Sequence, residues 1–112
     1  MSHEHHQLSR LCYLSPAQVE GPLPTGRLDV FDRDDLRIGE FAGVILDPDA
    51  RRLRYLVLKV AGLFKRRRYL VPIDPTQVDA ERRSLRVGIK RAALAACTIF
   101  DPGAFRVFPT KS

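Results

Sequence analysis

At 112 residues, with 45% hydrophobic and 29% charged side chains, the chain can bury one core but not two, which excludes a two-domain enzyme and an intrinsically disordered chain. Eight prolines and seven glycines favour many turns over long helices, so a mainly β or α+β domain is expected. The formal charge of +6 conceals an uneven distribution along the chain that matters more than the total.

Residues 1–18 read as a flexible N-terminal segment. MSHEHHQ has no apolar periodicity, and Leu8, Leu11 and Leu14 then recur at helical spacing as one turn that Ser15-Pro16 stops. His3, His5 and His6 are spaced as metal ligands can be, yet an exposed histidine tail more often takes up metal adventitiously, and no metal site or cofactor is assigned. Gly21 to Gly26 is a loop. Arg27 to Phe31 alternates as a short strand, with Leu28 and Val30 on one side, and Asp32-Arg33-Asp34-Asp35 makes a hairpin turn. The D-x-D spacing there opens a calcium loop, but the loop glycine and distal glutamate are absent at the required offsets, and a turn is the better reading.

Three runs rich in β-branched and aromatic residues follow, at about 36–46, 52–60 and 67–73. They are punctuated by Asp47-Pro48-Asp49 and Ala61-Gly62-Leu63, the pattern of strands joined by hairpins. Gly39 and Gly43 mark bulges or bends where a sheet curls, and Pro72 puts the third strand at an edge or bulge. Tyr55-Leu56-Val57-Leu58 is apolar without alternation, so that strand needs cover on both faces. After Asp74-Pro75 comes a connection with a short extended piece at Gln77-Val78. Ser84 to Ile89 alternates with Leu85, Val87 and Ile89 inward and Ser84, Arg86 and Gly88 outward, and Lys90 to Cys97 favours about two turns of helix as a lid. Residues 98–112 form a tail whose Phe100, Phe105 and Phe108 offer a partner-binding stripe, although packing back on an otherwise exposed apolar strand is the commoner fate of such residues. The expected core is Ile38, Val44, Leu46, Leu53, Tyr55, Val57, Val71, Leu85 and Val87.

The run LDVFDRDDLRIGEFAGVILDPDARRLRYLVLKVAGLFKRRRYLVPID resembles the PRC-barrel family. The likeness rests on Val30 to Gly39 as a "V-D-G-x-x-I-G" opening, Asp47 to Val57 as a "D-P-x-x-x-R-x-R-Y-L-V" hairpin, and Gly62 with Tyr69 to Pro72 as a glycine turn and "Y-L-V-P" strand. It extends over residues 19–97. Asp34-Asp35 replaces the family's Asp-Gly turn, and Pro22 to Gly26 resembles an insertion. The resemblance implies a small, strongly bent antiparallel β-barrel with one short C-terminal helix, acting as an interaction or assembly module, and it carries over no catalytic residues.

No nucleophile, base or metal cage stands out: the three histidines lie in the first six residues, and there is no G-x-S-x-G, P-loop or G-x-G-x-x-G. Cys12 and Cys97 lack a C-x-x-C partner and read as free thiols. A non-catalytic module for a protein partner is therefore expected, with homodimer formation through Tyr55, Leu56, Leu58, Phe100, Phe105 and Phe108 as the economical cover for the middle strand. Charge suggests an alternative. Residues 29–49 carry seven acids against Arg33 and Arg37, whereas residues 50–73 carry eight bases and no acid. Arg51, Arg52 and Arg54, and more so Lys65, Arg66, Arg67 and Arg68, are candidate contacts for RNA, a ribosomal component or an anionic membrane surface. The plainer account is a solvated hairpin whose arginines pair with the acidic stretch. The opening lacks a basic-then-apolar leader, and the uncharged run Ala92 to Phe100 is too short to span a bilayer, so a cytoplasmic protein is expected.

Overall fold

The computed structural model describes residues 10–19, 27–61 and 66–107. Nine strands arise among them: β1 Cys12–Leu14, β2 Asp29–Phe31, β3 Arg37–Asp47, β4 Arg52–Ala61, β5 Arg66–Pro72, β6 Thr76–Asp79, β7 Ser84–Val87, β8 Thr98–Ile99 and β9 Arg106–Val107. They form one sheet in the order β6-β7-β2-β3-β4-β5-β8, with β1 added to β3 and β9 to β1. The fold is mainly β, and among the described residues no hydrogen bonds close the bent sheet into a barrel, so β6 and β8 end the main path and β9 ends the branch through β1. The loop at Gly21–Gly26, the Gly62 turn and Phe108 lie outside the described residues.

The sheet bends at positions where the register slips. β2 pairs Val30 with Gly39 and then Phe31 with Arg37, which leaves Ile38 as an extra residue. That bulge lets Ile38 and Phe41, of opposite parity, reach the same core. A second slip lies between Phe41 and Val44, where Ala42 and Gly43 oppose Val57 alone. Gly43 has φ +126°, and a Cβ there would run into the Leu14 carbonyl oxygen and lie 2.6 Å from the Tyr13 ring, so only glycine fits. Past this bend, β3 exchanges β2 for β1 along the same edge. Pro72 ends β5 with its missing donor on the side where Arg68 accepts from the Phe100 amide, beyond the reach of β8.

β4 is the wall between two cores. Leu56 and Leu58 point into the first with Leu28, Val30, Ile38, Val71, Leu85 and Val87. Val57 points into the second with Ala42, Ile45, Leu70 and Phe100, and Leu11, Tyr13, Tyr55 and Phe105 pack around it. A 3-10 helix, Arg91–Ala96, lays Leu94 and Cys97 on the first core as a lid. It is tighter than the α-helix that alanine favours, since two turns are too short to gain from α propensity.

Three readings of the sequence are corrected. Cys12–Leu14 is a strand rather than the end of a helical turn, because pairing with β3 overrides the leucine spacing, and Ser15-Pro16 opens a short 3-10 helix instead of closing one. Leu53 is 37% exposed: the register passes from Ile45–Tyr55 to Leu46–Leu53, and the extra residue Arg54 takes Leu53 off the row of Tyr55 and Val57. Ser84 is 4% exposed although it alternates with the exposed Arg86, because its short side chain sits among the longer Phe31, Arg82 and Arg86 that line the same depression. Of the remaining expected core residues, Ile38, Val44, Val57, Val71, Leu85 and Val87 are buried, while Leu46 and Tyr55 are half-buried.

Candidate binding surface

The two basic clusters have different surroundings. Arg51, with φ 53°, turns the chain between β3 and β4. Arg52 meets Asp74 at 3.6 Å and Arg54 meets Asp47 at 4.0 Å, so this cluster is partly neutralised by acids across the sheet. Arg67 and Arg68 stand on β5 opposite Val60 and Lys59. The side chain of Arg66 and all of Lys65 lie outside the described residues. Eight residues of β4 separate Arg52 from Val60, about 26 Å at the usual strand rise, so the clusters are two sites rather than one patch.

A groove of about 380 Å³ opens beside the second cluster, lined by Lys59, Arg67, Arg68, Ile99, Phe100 and Pro102. Ile99 sits on the end strand β8 opposite Tyr69 and is 53% exposed. Lys59 is shared with Glu40 at 3.9 Å, and Glu40 also pairs with Arg27. Among the described residues, Arg67 and Arg68 form no ion pair, although Arg27, Arg37, Arg52, Arg54 and Arg82 each do. Asp101, next in sequence to the groove, directs its carboxylate to its own turn and accepts from the Gly103 amide at 3.0 Å. Burial pushes the Tyr13 phenol up from its ordinary pKa, and the Arg68 guanidinium opposes that. The Tyr13 hydroxyl donates to the Ala42 carbonyl at 2.7 Å.

The residues expected at a dimer interface are mostly spent inside the chain. Leu56, Leu58 and Phe100 are 1%, 0% and 6% exposed, and Tyr55 and Phe105 are half-buried. The middle strand does need cover on both faces, but β1 and the tail supply it: Phe100 lies 5.0 Å from the Tyr13 ring and 5.6 Å from the Phe105 ring, centre to centre. The premise that a second subunit must cover Tyr55–Leu58 is thereby corrected.

Asp32 and Ile99 are the residues that sequence reading passed over. Asp32 looked like an ordinary turn acid but is 1% exposed. Burial alone would raise its pKa; amides of Leu36, Arg91 and Asp34 donating to the carboxylate more than offset this and hold it below the usual range. Ile99 stands in an aperiodic tail, where no pattern separates an exposed apolar residue from a buried one. Both cysteines are free, Cys12 buried and Cys97 half-buried. Among the described residues no three His, Cys, Asp or Glu side chains gather as a metal site, and no helix is long and apolar enough to cross a membrane.

A bent, open sheet folded over its own core, with cations and an apolar side chain at one end, defines a small barrel-like binding scaffold. The chain belongs to the PRC-barrel domain family, whose model matches residues 26–94. Membership points to a small interaction or assembly module. Among curated proteins, none matches the chain. The matched span holds β2 to β7, and β1, β8 and β9 lie outside it.

Proposed function

We propose that this protein is a non-catalytic module that holds a protein partner along the β8 end of its sheet. The observation that carries the reading is Ile99, half exposed on an end strand while the residues around it complete a core. An end strand offers backbone groups to an extended segment, and an adjacent apolar side chain adds burial on contact. A second reading, polyanion binding, draws on the unpaired Arg67 and Arg68. It lacks a stacking platform in the groove, since Phe100 is buried.

The test is a photo-crosslinking residue placed at position 99 in the native cell, with position 36 as an exposed control. A protein adduct formed at 99, absent at 36 and resistant to nuclease is the expected result. Adducts that vanish with nuclease would transfer the reading to RNA.

A further inference from the structure

We propose that the groove between β5 and β8 selects an acidic, extended segment of a protein partner, with carboxylates on Arg67 and Arg68 and an apolar side chain against Ile99. The inference rests on the protein-binding reading above and adds the chemistry of the partner.

The argument is one of uncompensated charge beside uncovered apolar surface. Arg67 and Arg68 meet no carboxylate within 4.0 Å among the described residues; Arg10, Arg33, Arg51, Arg86, Arg91 and Arg106 meet none either, but Arg67 and Arg68 are adjacent in β5 and line one groove with an exposed apolar side chain. Both arginines line this groove, next to each other along β5. A guanidinium fork matches a carboxylate with two parallel hydrogen bonds, which a chain of acids at alternate positions can offer twice. Ile99 lines the same groove and is 53% exposed. A nucleic acid would satisfy the arginines but would leave Ile99 against sugar and phosphate, and the aromatic ring among the groove's described lining residues, Phe100, is buried. A lysine-rich segment would be repelled.

The test measures fluorescence anisotropy of a labelled peptide of alternating glutamate and valine, beside a lysine and valine peptide, a glutamate and serine peptide, and an oligouridine of equal length. The glutamate and valine peptide is expected to bind, and Arg67→Ala with Arg68→Ala to weaken it by at least about tenfold, the loss of two charge-assisted contacts. Ile99→Ser should weaken it several-fold while leaving the glutamate and serine peptide unchanged. Arg67→Glu with Arg68→Glu should bind the lysine and valine peptide instead, which separates a lost contact from a lost fold. Absence of glutamate and valine peptide binding, or a double alanine variant that binds it as the parent does, would overturn the inference. So would oligouridine binding as tightly as the peptide and losing the same factor. A crosslinked protein at position 99 together with an indifferent acidic peptide would leave the protein-binding reading standing and remove this one.

Discussion

The carboxylate of Asp32 accepts the backbone N–H of Arg91 at 2.9 Å across 59 positions of sequence. Arg91 opens the 3-10 helix, whose own cap position, Lys90, has no side chain to offer it. The other carboxylate oxygen takes the amides of Asp34 and Leu36 at 2.8 and 2.9 Å, and the Arg33 amide bonds the Ile89 carbonyl at 2.9 Å alongside. One acid therefore joins the first hairpin turn to the closing helix.

From this arrangement comes a prediction about acid. The folded pKa of Asp32 lies below its unfolded value, so its contribution to stability is present above the unfolded pKa of about 3.9 and is lost as pH falls through the folded one. Asp32→Asn would face an amide NH₂ toward one of its donors and should cost about 1–3 kcal/mol at neutral pH. Urea midpoints of parent and variant, compared from about pH 6 down to about pH 2.5, should converge at the acid end. A gap that stays constant would contradict the role given to the ionised carboxylate.

Truncation of the core should separate three neighbouring expectations. Val57 is 0% and Leu85 2% exposed, so Val57→Ala and Leu85→Ala are expected to cost roughly 2–4 kcal/mol each. Leu53, displaced from their row by Arg54, should cost less than about 1 kcal/mol. Denaturant unfolding of the three variants checks this, and a loss at Leu53 equal to that at Val57 would refute the register described for β4.

How far the sequence can be read depends on whether a residue's role is local. Strands 37–47, 52–61 and 66–72 were visible because alternation and turn residues are local signals, and Gly43 was visible as a bend because a glycine inside a strand has few other uses. Leu53 was misread because a bulge changes what alternation means, and no sequence pattern marks Arg54 as the extra residue; Ser84 was misread because alternation does not tell how far longer neighbours cover a short side chain. The basic pairs divided by partner, not by composition: Arg52 and Arg67 look alike in sequence, and only the fold places Asp74 beside one of them. Cover for the middle strand was legible as a need. The tail was legible as one source through its phenylalanines, whereas β1 was not, because its leucines repeat at helical spacing.

Gly43→Ala should be among the most damaging small substitutions. It adds a methyl where φ is +126° and where the Tyr13 ring stands 2.6 Å from the new atom. Backbone strain alone is worth about 1–3 kcal/mol, and overpacking adds to it. Gly103→Ala, with negative φ and only its own turn nearby, is the control and should change stability by less than about 1 kcal/mol. Thermal unfolding of the pair, read by circular dichroism, is the measurement, and equal losses would contradict the close crossing of β1 over β3.

The last prediction concerns what happens when the second core is opened. Phe100 is 6% exposed and closes Ala42, Ile45, Val57 and Leu70 from the tail, between Tyr13 and Phe105. Phe100→Ala should remove about 3–5 kcal/mol, the range for a buried aromatic. It should also uncover an apolar face of β4 that the intact chain keeps covered, and contiguous apolar surface of that kind drives association. Sedimentation over a concentration series should therefore show the variant's average mass rising more steeply than the parent's, with increased binding of a hydrophobic dye. Phe105→Ala, at a half-buried position on the rim, should show the same changes to a smaller degree. If Phe100→Ala sediments as the parent does and binds no more dye, the tail is not what covers the middle strand, and a second subunit would again be needed to explain how Tyr55 and Val57 are buried.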